Sequence, residues 1–353
     1  MKKEKNYNIE ALRVIACFMV ICIHVSNYYS RAYGTVSDAS YIFSIIVNGI
    51  SRVSVPVFFM ISGSLLLDET LLVKKSVRRV GNTLIVLIVW SGLYYFWNLL
   101  YRDKTYDLHL IFEAPVKRHL WFLYAILGMY IALPFLQCML KNMPDILMRY
   151  FALLWFTFLA LDYGIALSDM VITYQIPLVG SSCYLGYFVL GYIIKKTIKR
   201  VPINPWVCYL GAAAFIGVTI WLTYLYTVKN GVHCEDFFEY RNVLIAAGAA
   251  LIFYDALKNE HHKFSDRTKR VLSFLAKHSF TIYLCHVIFL DIMKLEMNPI
   301  EISAFIGIPL HTIWIFGASL LFSVVWNFLW GRVKKRNSIN SNRRKQLSRE
   351  LNQ

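Results

Sequence analysis

The chain has little charge for its length, and most of that charge is of one sign. Of its 353 residues only 16% are charged, with 21 acidic against 37 basic side chains, while 58% are hydrophobic. In an ordinary soluble domain about a quarter of the residues are charged. The composition therefore excludes a typical soluble protein and leaves no room for a large soluble domain.

Disulfide and metal-binding patterns are also missing from the sequence. Six of the seven cysteines lie in apolar segments, and Cys234 is alone in a predicted outer loop. No CxxC motif occurs, and no Cys/His spacing is typical of zinc. Single buried thiols behave as small hydrophobic side chains. We therefore expect no disulfide on the outer side and no bound metal.

Apolar segments of helical length recur along the whole chain. A membrane-spanning helix needs about 20 apolar residues, and we find about ten such segments. They lie near residues 10–30, 41–67, 81–101, 120–140, 149–167, 180–194, 206–228, 240–257, 272–293 and 304–330. The sequence thus predicts an all-α polytopic membrane protein, with a membrane domain over residues 1–331 and a basic cytoplasmic tail over residues 332–353.

The basic residues fall mainly on one side of this predicted domain. With the N-terminus inside, the inner segments hold 26 of the 37 Lys and Arg residues and the outer loops hold 7. The other four, Arg13, Arg52, Arg241 and Lys277, lie within spans or at their ends. This asymmetry predicts that both termini are cytoplasmic. Basic inner loops also favour anionic lipids, so we expect contact with membrane lipids rather than with nucleic acid.

Arg13 and His24 lie in the first apolar segment with ten residues between them. Ionisable residues at bilayer depth indicate functional sites by default. Eleven steps along an α-helix rise roughly 16 Å and return within about 20° of the same face. An imidazole in a protected cavity can accept a proton from a hydroxyl group, and Glu10 is spaced for an ion pair with Arg13. Alternatively, Arg13 only reaches the inner interface and His24 is a core histidine.

Several further polar and small residues allow a structural or a functional interpretation. The basic loop at Lys74, Lys75, Arg78 and Arg79 either sets the topology or binds a phosphorylated cytosolic donor. Pro56 predicts a kink in the second span, and Ser62-Gly63 predicts close helix packing rather than a nucleophile. The string YLGYFVLGYII also indicates packing through small residues.

Three histidines join His24 in the predicted outer half of the membrane. His119 and Trp121 open the fourth span, where they either anchor the interface or line an acceptor site, since an aromatic face suits a sugar ring. His286, well inside the ninth span, is either a core histidine or a cavity-lining one. With His311 these residues make a set of four, which is unusual for unrelated structural histidines.

Seven strings together resemble the acyltransferase-3 family, the membrane O-acyltransferases that modify bacterial surface polysaccharides. They are NIEALRVIACFMVICIH, VPVFFMISG, the basic loop KKSVRR, HLWFLY, LGYFVLGY, FFEYRNVLIAAGAALIF and IYLCHV. The resemblance covers nearly the whole membrane domain and is nearest to short members of the enterobacterial common antigen O-acetyltransferase type. The family's most diagnostic element, Arg followed by ten residues and His, is matched by Arg13 and His24.

The resemblance implies that an acyl group is transferred from cytosolic acyl-CoA to a hydroxyl of a cell-surface or lipid-linked carbohydrate. The expected donor is acetyl-CoA. It also implies a multi-pass protein of the bacterial cell membrane. We expect His24 to act as the base. The other expected site residues are Arg13 for catalysis, Lys75, Arg78 and Arg79 for the donor, and His119, Trp121 and His286 for the substrate.

Two other classes remain open from the sequence. A transporter or flippase for polysaccharide or lipid-linked glycan also has many helices, buried polar residues and basic inner loops. Transporters often contain inverted repeats with broken helices, and we find no paired halves here. A structural membrane scaffold is the third class, and it would not require Arg13 and His24 to share a face.

Overall fold

A computed structural model describes residues 5–70, 73–102, 113–168, 183–258 and 264–350, with the backbone alone for 331–350. The described residues form α-helices joined by short turns and contain no β-strand, so the predicted all-α class is confirmed. The helices are α1 (Tyr7–Ser30), α2 (Asp38–Ser51), α3 (Ser54–Leu66), α4 (Val73–Tyr101), α5 (Trp121–Lys141), α6 (Asp145–Leu167), α7 (Cys183–Thr197), α8 (Pro205–Asn230), α9 (Val243–Lys258), α10 (Asp266–Glu296) and α11 (Ala304–Glu350).

Nine stretches of the described residues are long and apolar enough to cross a membrane. They are Tyr7–Ser30, Asp38–Leu66, Val73–Tyr101, Arg118–Lys141, Asp145–Ile165, Pro205–Asn230, Asp236–Lys258, Asp266–Glu296 and Ala304–Trp330. Each overlaps one of the ten predicted segments. The remaining prediction, near 180–194, corresponds to α7, whose 15 described residues are fewer than the roughly 20 that a span needs.

The two ends of α1 define the faces of the domain. We call the face at which α1 begins the near face, and the face at which it ends the far face. At the far face, Arg31 after α1 pairs with Glu235 after α8, and the Tyr29 hydroxyl donates to the Pro299 carbonyl after α10 at 2.5 Å. These contacts bring the ends of α1, α8 and α10 to one face. That the near face is cytoplasmic remains a prediction from the charge distribution.

Helix α1 is enclosed by other helices rather than by lipid on most of its surface. It packs against α2, α3, α9, α10 and α11. Its buried residues, such as Ala16, Cys17, Ile21 and Val25, are distributed around the helix. A helix that is apolar nearly all round is usually a buried one. This position lets α1 carry ionisable side chains inside the protein instead of in the hydrocarbon.

The second span is broken near its middle. Helix α2 ends before Arg52, and α3 begins after Val53. Pro56, in the first turn of α3, has no N–H and cannot donate to the carbonyl of Arg52 four residues earlier. The predicted kink is therefore confirmed, and it lies where a charged residue occupies the centre of the span.

Small residues bring α3 and α7 into close contact, as the sequence predicts. A Cβ added at Gly63 would overlap the carbonyl oxygen of Phe188, and one added at Gly191 would overlap the backbone of Met60. The hydroxyl of Ser62 donates to the Phe58 carbonyl at 2.9 Å within its own helix, as expected of a packing residue. Glycine at these positions lets the two backbones touch.

We expect Gly63→Ala and Gly191→Ala to destabilise the protein, because the added methyl group meets backbone atoms that cannot rotate away. Overpacking of this kind costs typically 1–3 kcal/mol. The measurement is the Tm of the purified protein in detergent. Gly92→Ala in α4 is the matched control, since no heavy atom lies within 4 Å of its added Cβ. An unchanged Tm for both packing variants would contradict the contact.

A second set of contacts fastens the far face. Nε and Nη2 of Arg31 donate to the two carboxylate oxygens of Glu235 at 2.6 and 2.8 Å. These hydrogen bonds lower the pKa of Glu235 to about 2 and raise the pKa of Arg31. Nδ1 of His233 lies 3.1 Å from the Tyr41 hydroxyl, and burial lowers the pKa of His233 to about 4. The loop after α8 is thereby joined to α1 and α2.

Acid should weaken these contacts in two separate pH windows. The folded-state pKa of His233 is below its ordinary 6.5, so its contribution is lost as pH falls from about 6.5 to about 4. Glu235, lowered from 4.5, loses its contribution from about pH 4.5 down to about 2. We expect the free energy of unfolding of His233→Gln to fall by about 1 kcal/mol less than that of the wild type between pH 7 and 4.5, which is about 1–2 °C in Tm for a chain of 353 residues. Equal losses of the free energy of unfolding in the variant and the wild type would refute this role of His233. Glu235→Gln is the control, because its pH dependence should differ from that of the wild type only below pH 4.5.

Candidate functional site

Three histidines from distant parts of the chain meet in the far half of the domain. The ring centroid of His286, on α10, lies 5.2 Å from that of His24 on α1 and 5.3 Å from that of His119 just before α5. We call His24, His119 and His286 the histidine cluster. The structure therefore brings together three of the four histidines that the sequence places in the outer half.

His311, the fourth of that set, is not part of the cluster. It lies on α11, and its Nδ1 donates to the Gly307 carbonyl at 2.7 Å, one turn earlier in the same helix. Among the described residues its ring makes no aromatic contact with the cluster. We therefore regard His311 as a structural histidine.

Hydrogen bonds orient two rings of the cluster. Nδ1 of His286 lies 2.6 Å from the Tyr283 carbonyl, and Nε2 of His119 lies 3.3 Å from the Leu284 carbonyl. A carbonyl only accepts, so these nitrogens carry hydrogen, and in a neutral imidazole the other nitrogen is an acceptor. Those acceptors, Nε2 of His286 and Nδ1 of His119, are buried without a hydrogen-bond partner in the described part of the chain.

Contacts from α10 hold His119 in place. The Tyr283 hydroxyl donates to the carbonyl of His119. Two residues earlier, Nζ of Lys117 donates to Asp291 at 2.7 Å, and this buried carboxylate also pairs with Arg102 at 3.2 Å. A short 3-10 turn over Arg118–Leu120 follows. The segment before α5 is thus anchored to α10 both at Lys117 and at His119 itself.

Arg13 and His24 lie on one unbroken helix, as the spacing predicts. They are separated by roughly 16 Å of helical rise, with Arg13 toward the near face. Arg13 Nη1 pairs with Glu10 at 3.3 Å, which confirms the predicted ion pair, and its side chain is 27% exposed. His24 is partly accessible, whereas His286 and His119 are 0% and 4% exposed. His24 is therefore the accessible member of the histidine cluster.

Trp121 belongs to a group of aromatic side chains in the far half of the domain. Its ring lies 4.7 Å from Tyr184 on α7 and 6.0 Å from Tyr240 before α9. The next residue, Phe122, contacts Tyr283 at 5.4 Å, and Tyr283 contacts His286 at 5.8 Å. These five residues, which we call the aromatic group, connect Trp121 to the histidine cluster.

Arg52 is a charged residue near the histidine cluster that none of the sequence motifs singles out. It lies at the break between α2 and α3, and its Nε donates to Asn48 Oδ1 at 2.8 Å. Asn48 Nδ2 in turn lies 3.5 Å from Asn27 Oδ1, on α1 one turn beyond His24. Arg52 is close enough to His24 for its charge to act on the ring. An arginine four residues before a proline inside a span is the sequence pattern that marks it.

The predicted donor-binding residues lie on the near face, away from the histidine cluster. Nη2 of Arg79 donates to both carboxylate oxygens of Glu69 at 2.9 and 3.0 Å, and Lys75 lies 4.0 Å from the same carboxylate. Arg78 is exposed at the start of α4. The loop therefore presents three basic side chains against one acidic partner.

An open pocket of about 410 Å³ lies on the far face, lined in part by Arg31, His233 and Glu235. Asn27, in the turn of α1 that follows His24, lies close enough to Glu235 at the pocket to help lower the pKa of that carboxyl group. Within the described ranges, no group of three or more His, Cys, Asp or Glu residues is arranged to hold a metal ion. Polar side chains thus lead from the far face toward the histidine cluster.

The comparison with protein families gives one extended match. The model of the acyltransferase-3 family, described as an acyltransferase domain, matches residues 6–329. No curated protein and no solved structure matches the chain. The matched range contains the histidine cluster, Arg52, the aromatic group and the basic loop. The chain therefore belongs to the acyltransferase-3 family, and it is a multi-pass membrane acyltransferase.

Proposed function

We propose that the protein transfers an acyl group, most simply acetyl, from cytosolic acyl-CoA to a hydroxyl of a cell-surface or lipid-linked carbohydrate. The observation that carries this proposal is the histidine cluster, placed about 16 Å along α1 from a cationic residue near the opposite face. In this scheme the protein is an O-acetyltransferase of the bacterial cell membrane. Both termini and the tail over residues 332–353 are on the cytoplasmic side, and the tail rests on anionic lipid.

His24 is the general base in this proposal. Its partial accessibility favours it over His286 and His119, because a base must reach the hydroxyl whose proton it takes. His286 and His119 are buried, and in this proposal they lie behind His24 in the wall of the site. Arg13 serves at the other end of the helix, where its guanidinium guides the phosphorylated donor toward α1.

The donor approaches from the near face. Lys75, Arg78 and Arg79 bind the phosphate groups of acyl-CoA through charge-assisted hydrogen bonds. The flexible arm of CoA, with the acyl thioester at its end, extends from there past Arg13 toward His24. This arrangement explains why the basic residues and the histidine cluster lie at different depths.

The acceptor approaches from the membrane or from the far face. Sugar rings bind well against aromatic side chains that are combined with a few polar groups. The aromatic group with Trp121 provides that surface, and His119 and His286 support it from behind His24, each with one ring nitrogen that has no hydrogen-bond partner among the described residues. The far-face pocket supplies a hydrophilic route to it. The family match gives no support to the alternative of a transporter or flippase.

We expect His24→Ala to reduce acyl transfer by at least roughly 100-fold while the protein still inserts into the membrane, because a positioned base contributes about that much or more. The measurement is the acyl content of envelope glycans, by mass spectrometry, in a deletion strain that carries the variant. His311→Gln is the matched control, since His311 lies outside the histidine cluster. Normal acylation by the His24 variant would refute the base assignment.

We expect Arg78→Gln to raise the KM for acetyl-CoA about tenfold, because one charge-assisted hydrogen bond to phosphate contributes about 1.5–3 kcal/mol. Arg78 is exposed, so we expect the variant to fold like the wild type. Acetyl-pantetheine, which lacks the phosphates, should keep its KM. Lys269→Gln, another near-face basic residue, is the control. Equal KM values for acetyl-CoA in the variant and the wild type would contradict donor binding by this loop.

A further inference from the structure

We propose that Arg52 is a catalytic residue that binds the negatively charged oxygen of the tetrahedral intermediate during acyl transfer. This inference rests on the proposed function, and it assigns an electrostatic role that neither the sequence motifs nor the family match assign. It is argued from the depth of Arg52, from its neighbours and from its position relative to His24.

Arg52 lies at the centre of the second span. The span runs over Asp38–Leu66, but its first residues extend past the end of α1, because Ser44 on α2 is hydrogen-bonded to Ser30 at 2.8 Å. Arg52 lies eight residues, or about 12 Å of helical rise, beyond Ser44 along the span, within the far half of the domain and near the level of His24. Charged residues at such depth are expensive and are retained where they serve a function. Membrane topology alone does not account for an arginine here.

The charge of Arg52 is not neutralised by a carboxylate in the described part of the chain. Its Nε donates to the neutral amide of Asn48, and its guanidinium lies over the rings of Phe238 and Tyr240, at 5.3 and 5.9 Å. Arg13 and Arg79, by contrast, pair with Glu10 and Glu69. A preorganised cation without a counter-ion is suited to a negative charge that appears only during the reaction.

Arg52 also lies beside the residues that the transfer would use. Asn48 and Asn27 connect it to the turn of α1 that follows His24, and its charge acts on the His24 ring. The ring of Tyr240, beneath the guanidinium, contacts Trp121 at 6.0 Å. A base on α1 and a cation on the facing helix can therefore address the same substrate atoms from two sides.

The chemical step balances with these groups. The acceptor hydroxyl oxygen attacks the thioester carbonyl carbon, and its proton passes to the His24 imidazole. The electron pair of the carbonyl moves to its oxygen, which becomes the oxyanion held by the Arg52 guanidinium. When the intermediate collapses, the carbon–sulfur bond breaks and the CoA thiolate takes the proton from the imidazolium. The products are the carbohydrate ester and CoA.

The test compares Arg52→Gln and Arg52→Lys with the wild type in purified protein supplied with acetyl-CoA and an envelope glycan fraction from the deletion strain. We expect Arg52→Gln to lower kcat roughly 100- to 1,000-fold, as removal of an oxyanion donor does elsewhere, with the KM for both substrates nearly unchanged. Arg52→Lys should lie between the two. Added guanidinium should restore part of the activity of Arg52→Ala.

Arg241→Gln is the matched control, because Arg241 is another arginine beside Tyr240 but pairs with Glu239 and Asp162. We expect its kcat to stay within a few-fold of the wild type. Tm and size-exclusion profiles report folding of each variant. If Arg52→Gln does not fold, the lysine variant and the guanidinium rescue of Arg52→Ala test the proposal instead. A wild-type kcat in Arg52→Lys, or no rescue of Arg52→Ala by guanidinium, overturns it.

The outcomes separate this inference from the proposed function. A wild type that transfers no acyl group would refute the proposed function itself. An active wild type with an equally active Arg52→Gln variant would overturn only the role of Arg52. A raised acceptor KM with intact kcat would likewise overturn it, because Arg52 would then bind a permanently anionic group of the acceptor.

Discussion

Polar and charged side chains persist at bilayer depth only where protein surrounds and satisfies them. Helix α1 meets this constraint because five other helices pack against it. Arg13 has Glu10 as its partner, and His24 contacts the ring of His286. The rest of the site depends on this enclosure, since a lipid-facing α1 could hold neither residue without a large energetic penalty.

Much of the fold follows from local sequence features. The nine spans of the described residues depend on apolar length, the kink at Pro56 depends on a missing N–H, and the glycine contacts of α3 depend on a missing Cβ. These properties belong to single residues or short windows, so a sequence reveals them directly. The segment near 180–194 is the exception, because its described part, α7, has only 15 residues. These residues are mostly apolar, but apolar character alone does not distinguish a buried helix from a membrane span.

The site was predictable only in part, for a physical reason. Arg13 and His24 share a helix, and helical periodicity is enough to relate them. His24 and His286 are neighbours through the packing of α1 against α10, which no local pattern encodes. Arg52 shows the same limit more strongly. Its significance comes from the helix break beside it and from the lack of an ion pair with any described carboxylate, and both depend on tertiary structure.

The glycine contacts and the candidate site are mechanically connected. Gly63 and Gly191 fix α3 against α7, so the break at Arg52 is held from one side by the tightest helix contact described here. From α7, the Tyr187 hydroxyl donates to the Tyr240 carbonyl at 2.6 Å, and Tyr240 lies beneath the Arg52 guanidinium. The packing of α3 against α7, which leaves no room for a Cβ at Gly63, therefore also positions Tyr240 and the Arg52 guanidinium. Groups that stabilise a developing charge act best when they need not move, and here the rigidity comes from two glycines outside the site.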